Sequence, residues 1–374
     1  MDKKILKKLG TKTIRDKIKA LEVEISTTKY NKKTQHHIGL VKAKIRKLKE
    51  KQAVRSAKKS VHDKYAVKRT GNATAIIVGF PSVGKSTLLN AITDAKSKIG
   101  AYEFTTLSVV PGLLQHKDAK IQILDVPGIV QGAAAGTGRG KEVLSVMRNA
   151  DLVIFLIDVN HPEHLKILQK EVYDAHLRVN KIKPDITIKK KEKDGLDIGF
   201  TIKQKLLTKQ TVADILKEFR IHNAQVVIRE KITPDDLMDA IQKNKIYIPA
   251  IIVLNKIDSV SKSQLNKVKK KIKPDLCISA HKKINLKKLK DLIFKKLNLI
   301  RLYCKEVGKP ADLDEPIIMK KGTTIGDFCS KLHRDFINKF RFAKVWGSSK
   351  FPGQEFRKLN RELHDKDVVE IHLL

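Results

Sequence analysis

Acidic residues are scarce in this chain: 40 Asp and Glu stand against 78 Lys and Arg, a formal net charge of +38 over 374 residues. Aromatic residues are few as well, at 5% with one tryptophan, while 41% hydrophobic residues still suffice for a large core. The three cysteines, Cys277, Cys304 and Cys329, have no metal-ligand spacing and are too few for a disulfide framework. They point to a reducing compartment, the cytoplasm. No apolar run approaches the roughly 18 residues needed to cross a bilayer, and the Lys-rich start is followed by no apolar core of a secretory signal. A membrane role and export are therefore not expected. The length suits roughly two to four domains.

The positive charge is unevenly spread. Residues 1–70 hold 23 Lys and Arg against 6 Asp and Glu, and residues 259–300 hold 13 against 2, whereas residues 301–374 hold 15 against 11. Such concentration argues for a polyanionic partner. RNA is favoured over membrane because no helix pairs its basic face with a large aromatic-rich one. No DNA specificity is expected, and a set of solvated lysine faces is the plainer alternative.

The most informative segment is Gly79-Phe80-Pro81-Ser82-Val83-Gly84-Lys85-Ser86-Thr87, which matches G-x-x-x-x-G-K-[ST]. The apolar run Ala75-Ile76-Ile77-Val78 before it reads as a buried strand, and Thr87 to Ile92 reads as the first turns of a helix. In that setting the backbone N–H groups of Pro81 to Thr87 (proline excepted) wrap nucleotide phosphates at the positive end of the helix. Lys85 would reach the β- and γ-phosphates, and the Ser86 hydroxyl would ligate Mg²⁺.

Further motifs follow at strand ends, where α/β folds bind ligands. Ile121 to Val126 is an apolar strand closing on Asp125-Val126-Pro127-Gly128, where Asp125 can hold Mg²⁺ through water and the Gly128 N–H can contact the γ-phosphate. Upstream, Thr105 or Thr106 can rotate in to supply a hydroxyl to the same ion, with Thr106 favoured. Both segments read as switch loops ordered by the γ-phosphate and Mg²⁺ and released on hydrolysis. The glycine-rich stretch from Gly132 to Gly140 suits a mobile segment of this kind. Asn255-Lys256-Ile257-Asp258 ends another apolar strand. The Asp258 carboxylate can accept from guanine N1–H and the 2-amino group, a donor pair adenine lacks; the Lys256 stem can lie along the base, and the Asn255 amide can bridge loops. The Ala280 N–H, in Cys277-Ile278-Ser279-Ala280, could meet guanine O6. Where many GTPases place a water-orienting Gln after Asp-x-x-Gly, this chain has Ile129, so unaided hydrolysis should be slow. Gln131 is not at the right place, and Arg139 and Arg148 are finger candidates by proximity only.

GFPSVGKSTLLN, YEFTTL, LDVPGIVQGAAAGTGRG, NKID and ISAH together resemble the Drg (developmentally regulated GTP-binding protein) branch of the Obg-like GTPases. The resemblance spans nearly the whole chain, including His36 to Lys44, Ile221 to Ala224, Ile246 to Pro249 and a C-terminal TGS-like β-grasp module. It implies a slow, Mg²⁺-dependent GTPase switch, with GTP and GDP as ligands and the ribosome or ribosomal RNA as partner. It leaves room for an accessory stabilising protein. It carries phosphate, metal and guanine contacts onto Lys85, Ser86, Thr106, Asp125, Asn255, Lys256, Asp258 and Ser279; Lys85, Thr106 and Gly128 are the expected catalytic groups. Relatives with potassium-stimulated hydrolysis have Asn at the fourth loop position, where this chain has Ser82, which counts against K⁺. A constitutive RNA-binding protein with a structural nucleotide site is the alternative function.

The expected architecture is α/β: a doubly wound, mostly parallel sheet of the P-loop GTPase type, with three additions. Residues 1–70 read as a basic helical hairpin and linker, with seams Ile14, Ile18, Leu21, Ile25 and Ile38, Val41, Ile45, Leu48. Lys42, Lys44, Arg46, Lys47, Lys49 and Lys51 are expected on its outer faces. Residues 71–300 form the GTPase domain, interrupted by an α+β insert at 180–245, because the chain from Asp151 to Asn255 far exceeds one crossover. Residues 301–374 form the β-grasp domain, with Trp346 expected in its core rather than as a stacking platform.

Overall fold

The computed structural model describes residues 14–29, 31, 34–56, 71–93, 110–125, 147 and 149–374. The switch-loop candidates Thr105, Thr106, Gly128, Ile129, Gln131, Arg139 and Arg148 lie outside the described residues. The chain opens with α1 (Ile14–Thr27) and α2 (Gln35–Ser56), then β1 (Ala73–Val78), α3 (Lys85–Ile92), β2 (Val110–His116) and β3 (Ala119–Asp125). β4 (Leu152–Asp158), α4 (His164–Asp174) and β5 (Leu177–Val179) lead to β6 (Ile186–Lys190), β7 (Leu196–Phe200), α5 (Lys209–Glu218), β8 (Ala224–Ile228) and α6 (Pro234–Gln242). β9 (Ile246–Ile248), β10 (Ala250–Asn255), α7 (Lys262–Ile272), β11 (Leu276–Cys277) and α8 (Leu286–Lys296) follow. The last part comprises β12 (Leu299–Lys305), β13 (Ile317–Lys320), α9 (Ile325–Leu332), α10 (Asp335–Asn338), β14 (Phe340–Trp346), β15 (Gln354–Phe356) and β16 (Val368–Leu373).

Two compact units result, one joining the described residues before 65 to 181–247, the other containing the remainder. In the second unit a six-stranded sheet runs β11-β10-β4-β1-β3-β2, parallel throughout except at the antiparallel edge strand β2. Every residue of β1 and β4 is buried, which explains why both read as unbroken apolar runs: strands covered on both faces have no solvent side to alternate toward. Leu88, Leu89 and Ile92 of α3 and Leu289, Ile293 and Phe294 of α8 pack on this sheet.

The β-grasp sheet runs β13-β12-β16-β14-β15. Its first strand begins at Leu299 and serves two cores: Leu299 belongs to the core of the six-stranded sheet, whereas Ile300 and Leu302 belong to the β-grasp core. Ala343 and Val345 of β14 also enter that second core. Trp346 does not. The two-residue period of the strand turns it to the other face, half-buried, with Lys305 Nζ 5.0 Å from its ring. The expectation of a core tryptophan is thereby corrected.

In the first unit, Ile18, Val41 and Ile45 form the seam between α1 and α2, with Ile14, Leu21, Ile25 and Leu48 packed around it. The insert sheet runs β6-β8-β7, so β8 lies between the two strands that precede it. Helix α6 starts on a full capping box, Thr233 with Asp236, and Pro234 in the first turn. The hairpin, expected as a module of its own, is built into the insert: Ala43 of α2 is in the insert core and Leu40 packs against it. Nor do the cations of α2 all face outward. Lys42 pairs with Asp235 at 2.7 Å, Arg46 with Asp239 at 2.6 Å and Asp235 at 2.9 Å, and Lys47 with Glu218 at 3.1 Å. The acids along α6 and at the end of α5 explain this arrangement. His36 and His37 make polar contacts, with Asp214 at 3.0 Å and Glu24 at 2.8 Å.

Candidate nucleotide site

β1 delivers the chain into the glycine loop and α3 carries it away. Gly79 has no room for a side chain, since a Cβ there would lie 2.7 Å from the Leu156 carbonyl oxygen and 2.9 Å from Val83 Cγ2. Gly84 caps α3 at φ 92°, in the left-handed region, and supplies no side-chain cap. The first-turn N–H groups of α3 therefore have no side-chain acceptor from the cap position and are available to an anion. Ser86 and Thr87 are exposed at this opening, as are Pro81 and Ser82, while Val83 is buried beneath the loop. Lys85 arches back over its own loop, donating to the carbonyls of Gly79 at 3.2 Å and Phe80 at 3.0 Å.

Asp125 ends β3 at 7% exposure, and its Oδ1 has no hydrogen-bond partner among the described residues. Burial pushes its carboxyl up from the ordinary value, against the Lys85 charge and a Ser86 hydrogen bond that pull it down. A buried carboxylate with an unused oxygen beside a hydroxyl is a costly arrangement unless a cation completes it. An all-oxygen donor set of this kind fits a hard divalent ion such as Mg²⁺.

The base-reading candidates meet around Asn255. Its Nδ2 donates to the Val83 carbonyl at 2.8 Å and its Oδ1 accepts from the Ala280 N–H at 3.0 Å, so one buried amide ties the phosphate loop to the Ser279–Ala280 loop. The Ala280 N–H is thus engaged by Asn255; reaching a base O6, as the sequence suggested, would require sharing that proton. Lys256 stands at φ 62° and its Nζ meets Asp158 Oδ2 at 2.8 Å. Asp258, in a 3₁₀ turn at Ile257–Ser259, is exposed. Its carboxyl is held below the ordinary range, first by a hydrogen bond from Ser279, whose residue is fully buried.

Two groups escaped the sequence reading. Asp158, at the end of β4, is buried; desolvation works to raise its carboxyl, but Lys256 and the Asn160 N–H together hold it below the ordinary value. Its position after the run Leu152–Ile157 was the available signal. The second is His164, whose ring stacks on Phe80 of the phosphate loop at 3.8 Å between centroids.

Comparison with known proteins agrees with this fold. A model described as a 50S ribosome-binding GTPase matches residues 74–191, one described as the C-terminal region of the same domain matches 193–299, and a TGS domain matches 300–373. A GTP-binding protein of Methanocaldococcus jannaschii is 48% identical over 363 residues, covering 96% of this chain and 92% of its own. Developmentally-regulated G-protein 3 of Arabidopsis thaliana is 41% identical over 366 residues, covering 96% and 98%. Ribosome-interacting GTPase 1 of Saccharomyces cerevisiae is 41% identical over 362 residues, covering 95% and 98%. The chain belongs to the developmentally regulated GTP-binding protein family, GTPases that end in a TGS domain.

Proposed function

We propose that this chain is a GTP-hydrolysing switch whose nucleotide state sets its affinity for ribosomal RNA or the ribosome. The observation that carries the reading is the Asn255 bridge, because it fixes the base-reading turn and the phosphate loop in one rigid frame that a nucleoside triphosphate can span. Asp258 reads guanine, Lys256 lies along the base, and Ser279 orients Asp258. The loop from Pro81 to Thr87 holds the phosphates and Lys85 neutralises them.

Ser86 and Asp125, the latter through water, would hold Mg²⁺, with Thr106 as a further candidate ligand. The ion supplies charge neutralisation at the phosphates. Lys85 and the loop N–H groups steady the same oxygens as negative charge grows on them. With Ile129 in place of a water-orienting amide, unaided hydrolysis is slow, on the order of 10⁻² s⁻¹ or less. The Gly128 N–H is assigned to the γ-phosphate, which makes the following segment its sensor.

The competing reading is a constitutive RNA-binding protein with a structural nucleotide. The oxygen of buried Asp125 that has no partner among the described residues favours the switch, since an inert site would have no use for a costly carboxylate. Affinity for ribosomal RNA measured with GDP and with a non-hydrolysable GTP analogue separates the two. The switch requires a difference; equal affinities would support the constitutive protein.

A further inference from the structure

The basic segments of the chain do not behave alike. In the hairpin, Lys42, Arg46, Lys47 and Lys49 are each ion-paired within their own unit. Helix α7 is different. Its sequence, KSQLNKVKKKI, has five lysines and no acid, and none of the five has an ion pair with another of the described residues. Leu265, Val268 and Ile272 are half-buried at helical spacing and mark its inner side. Lys267, Lys270 and Lys271 point the opposite way and are exposed.

This face carries a like-charge cost that no acid among the described residues offsets by an ion pair. Lys267 and Lys271 are four residues apart, and like charges at that spacing destabilise a helix. The acid that follows, Asp275, is engaged elsewhere: its Oδ2 accepts from the Ile252 N–H at 2.8 Å and its Oδ1 lies 3.9 Å from Lys296. A solvated surface helix ordinarily mixes charges of both signs; this one is poised for a ligand of the opposite charge. α7 presents no exposed large hydrophobic residue, so it has nothing to insert into a bilayer.

We propose that the outer face of α7, centred on Lys267, Lys270 and Lys271, is a surface that grips the phosphate backbone of RNA. The inference rests on the RNA reading above and specifies where the contact is made. The placement has a consequence for switching. α7 follows the Lys256–Asp258 turn directly, and β10 and β11 on either side of it lead into the two base-reading loops. RNA held on α7 is thereby one short turn from the guanine contact, and any coupling between the two must be reciprocal.

The test uses the full chain with a non-hydrolysable GTP analogue and a ribosomal RNA fragment, with affinity measured across a salt series. A triple variant, Lys267→Gln, Lys270→Gln and Lys271→Gln, is compared with a control of equal charge loss on the insert, Lys189→Gln, Lys191→Gln and Lys193→Gln. Each neutralised phosphate contributes about 0.7 to 0.9 to the slope of log affinity against log salt, so the α7 variant should lose about 2 units of slope and the control none. Its melting temperature should hold or rise, because repulsion along the helix is relieved. Wild-type binding with an unchanged slope in the α7 variant would overturn the α7 assignment and leave the RNA reading standing. No wild-type binding to the RNA would overturn the RNA reading itself. Wild-type binding to anionic vesicles that the α7 variant loses, without RNA binding, would assign the face to membrane and overturn the proposal.

Discussion

Asn255 Nδ2 donates to the carbonyl of Val83 at 2.8 Å across 172 residues of sequence. The same side chain receives the Ala280 N–H, so three loops share one buried amide at 1% exposure. Asn255→Ala leaves a buried carbonyl and a buried N–H without partners, at about 2 kcal/mol or more. GTP affinity should fall by at least about tenfold, since 1.4 kcal/mol is a factor of ten. Calorimetric titration checks this, with thermal melting to separate lost affinity from lost fold.

Gly84→Ala attacks the same junction from the other side. A Cβ would stand 2.6 Å from Asn255 Nδ2, on a backbone at φ 92° that only glycine adopts without strain. The strain is about 1–3 kcal/mol, and the displaced amide should reduce GTP binding as Asn255→Ala does. Measuring the double variant tests the coupling: if both substitutions act through the one bridge, the combined loss is smaller than the sum.

Asp125→Asn should separate stability from function. The carboxyl is raised by burial, so at neutral pH its ionised form costs the nucleotide-free fold stability. A raised acid adds stability as pH falls through its folded value, and removing its charge does the same at pH 7. The variant should therefore melt at a higher temperature without nucleotide, yet bind Mg²⁺–GTP about 10–100-fold more weakly, the usual effect of losing an outer-shell partner. Melting curves with and without Mg²⁺–GTP provide both readings.

Arg46→Met tests the clamp between hairpin and insert. Arg46 reaches Asp239, whose side chain is 2% exposed, at 2.6 Å, and Asp235 at 2.9 Å. Removing the cation from a buried pair should cost about 3 kcal/mol in urea unfolding. Asp239→Asn alongside it should recover part of that loss, because the buried charge goes too. A surface role for Arg46 would predict almost no change.

The phosphate loop and Asn255-Lys256-Ile257-Asp258 were legible because each is a local pattern: buried strand, turn, helix, with the chemistry inside a few residues. The clamp was not. Arg46 and Asp239 are 193 residues apart, and neither helix alone tells that its charges meet. Lys42 and Lys47 read as solvent-facing for the same reason. Asp158 was missed because its role depends on Lys256, at the end of a neighbouring strand. Trp346 is a different kind of error. The alternation Ala343, Lys344, Val345, Trp346 places tryptophan opposite the buried pair, and the strand period overrides the pull of its hydrophobicity.

The most direct test of the account is whether Asp258 reads guanine. Its carboxyl sits below the ordinary range through the Ser279 hydrogen bond, so it remains ionised at neutral pH and protonates only as pH falls past that depressed value. Nucleotide selectivity should therefore hold down to mild acid. A site that pairs the N1–H and 2-amino donors rejects a base without them by roughly 10⁴-fold or more. Calorimetric titration of the wild type and Asp258→Asn with GTP, ATP and XTP is the measurement. The account predicts GTP far above ATP for the wild type and a reversal toward XTP in the variant. Equal affinity of the wild type for GTP and ATP would contradict it.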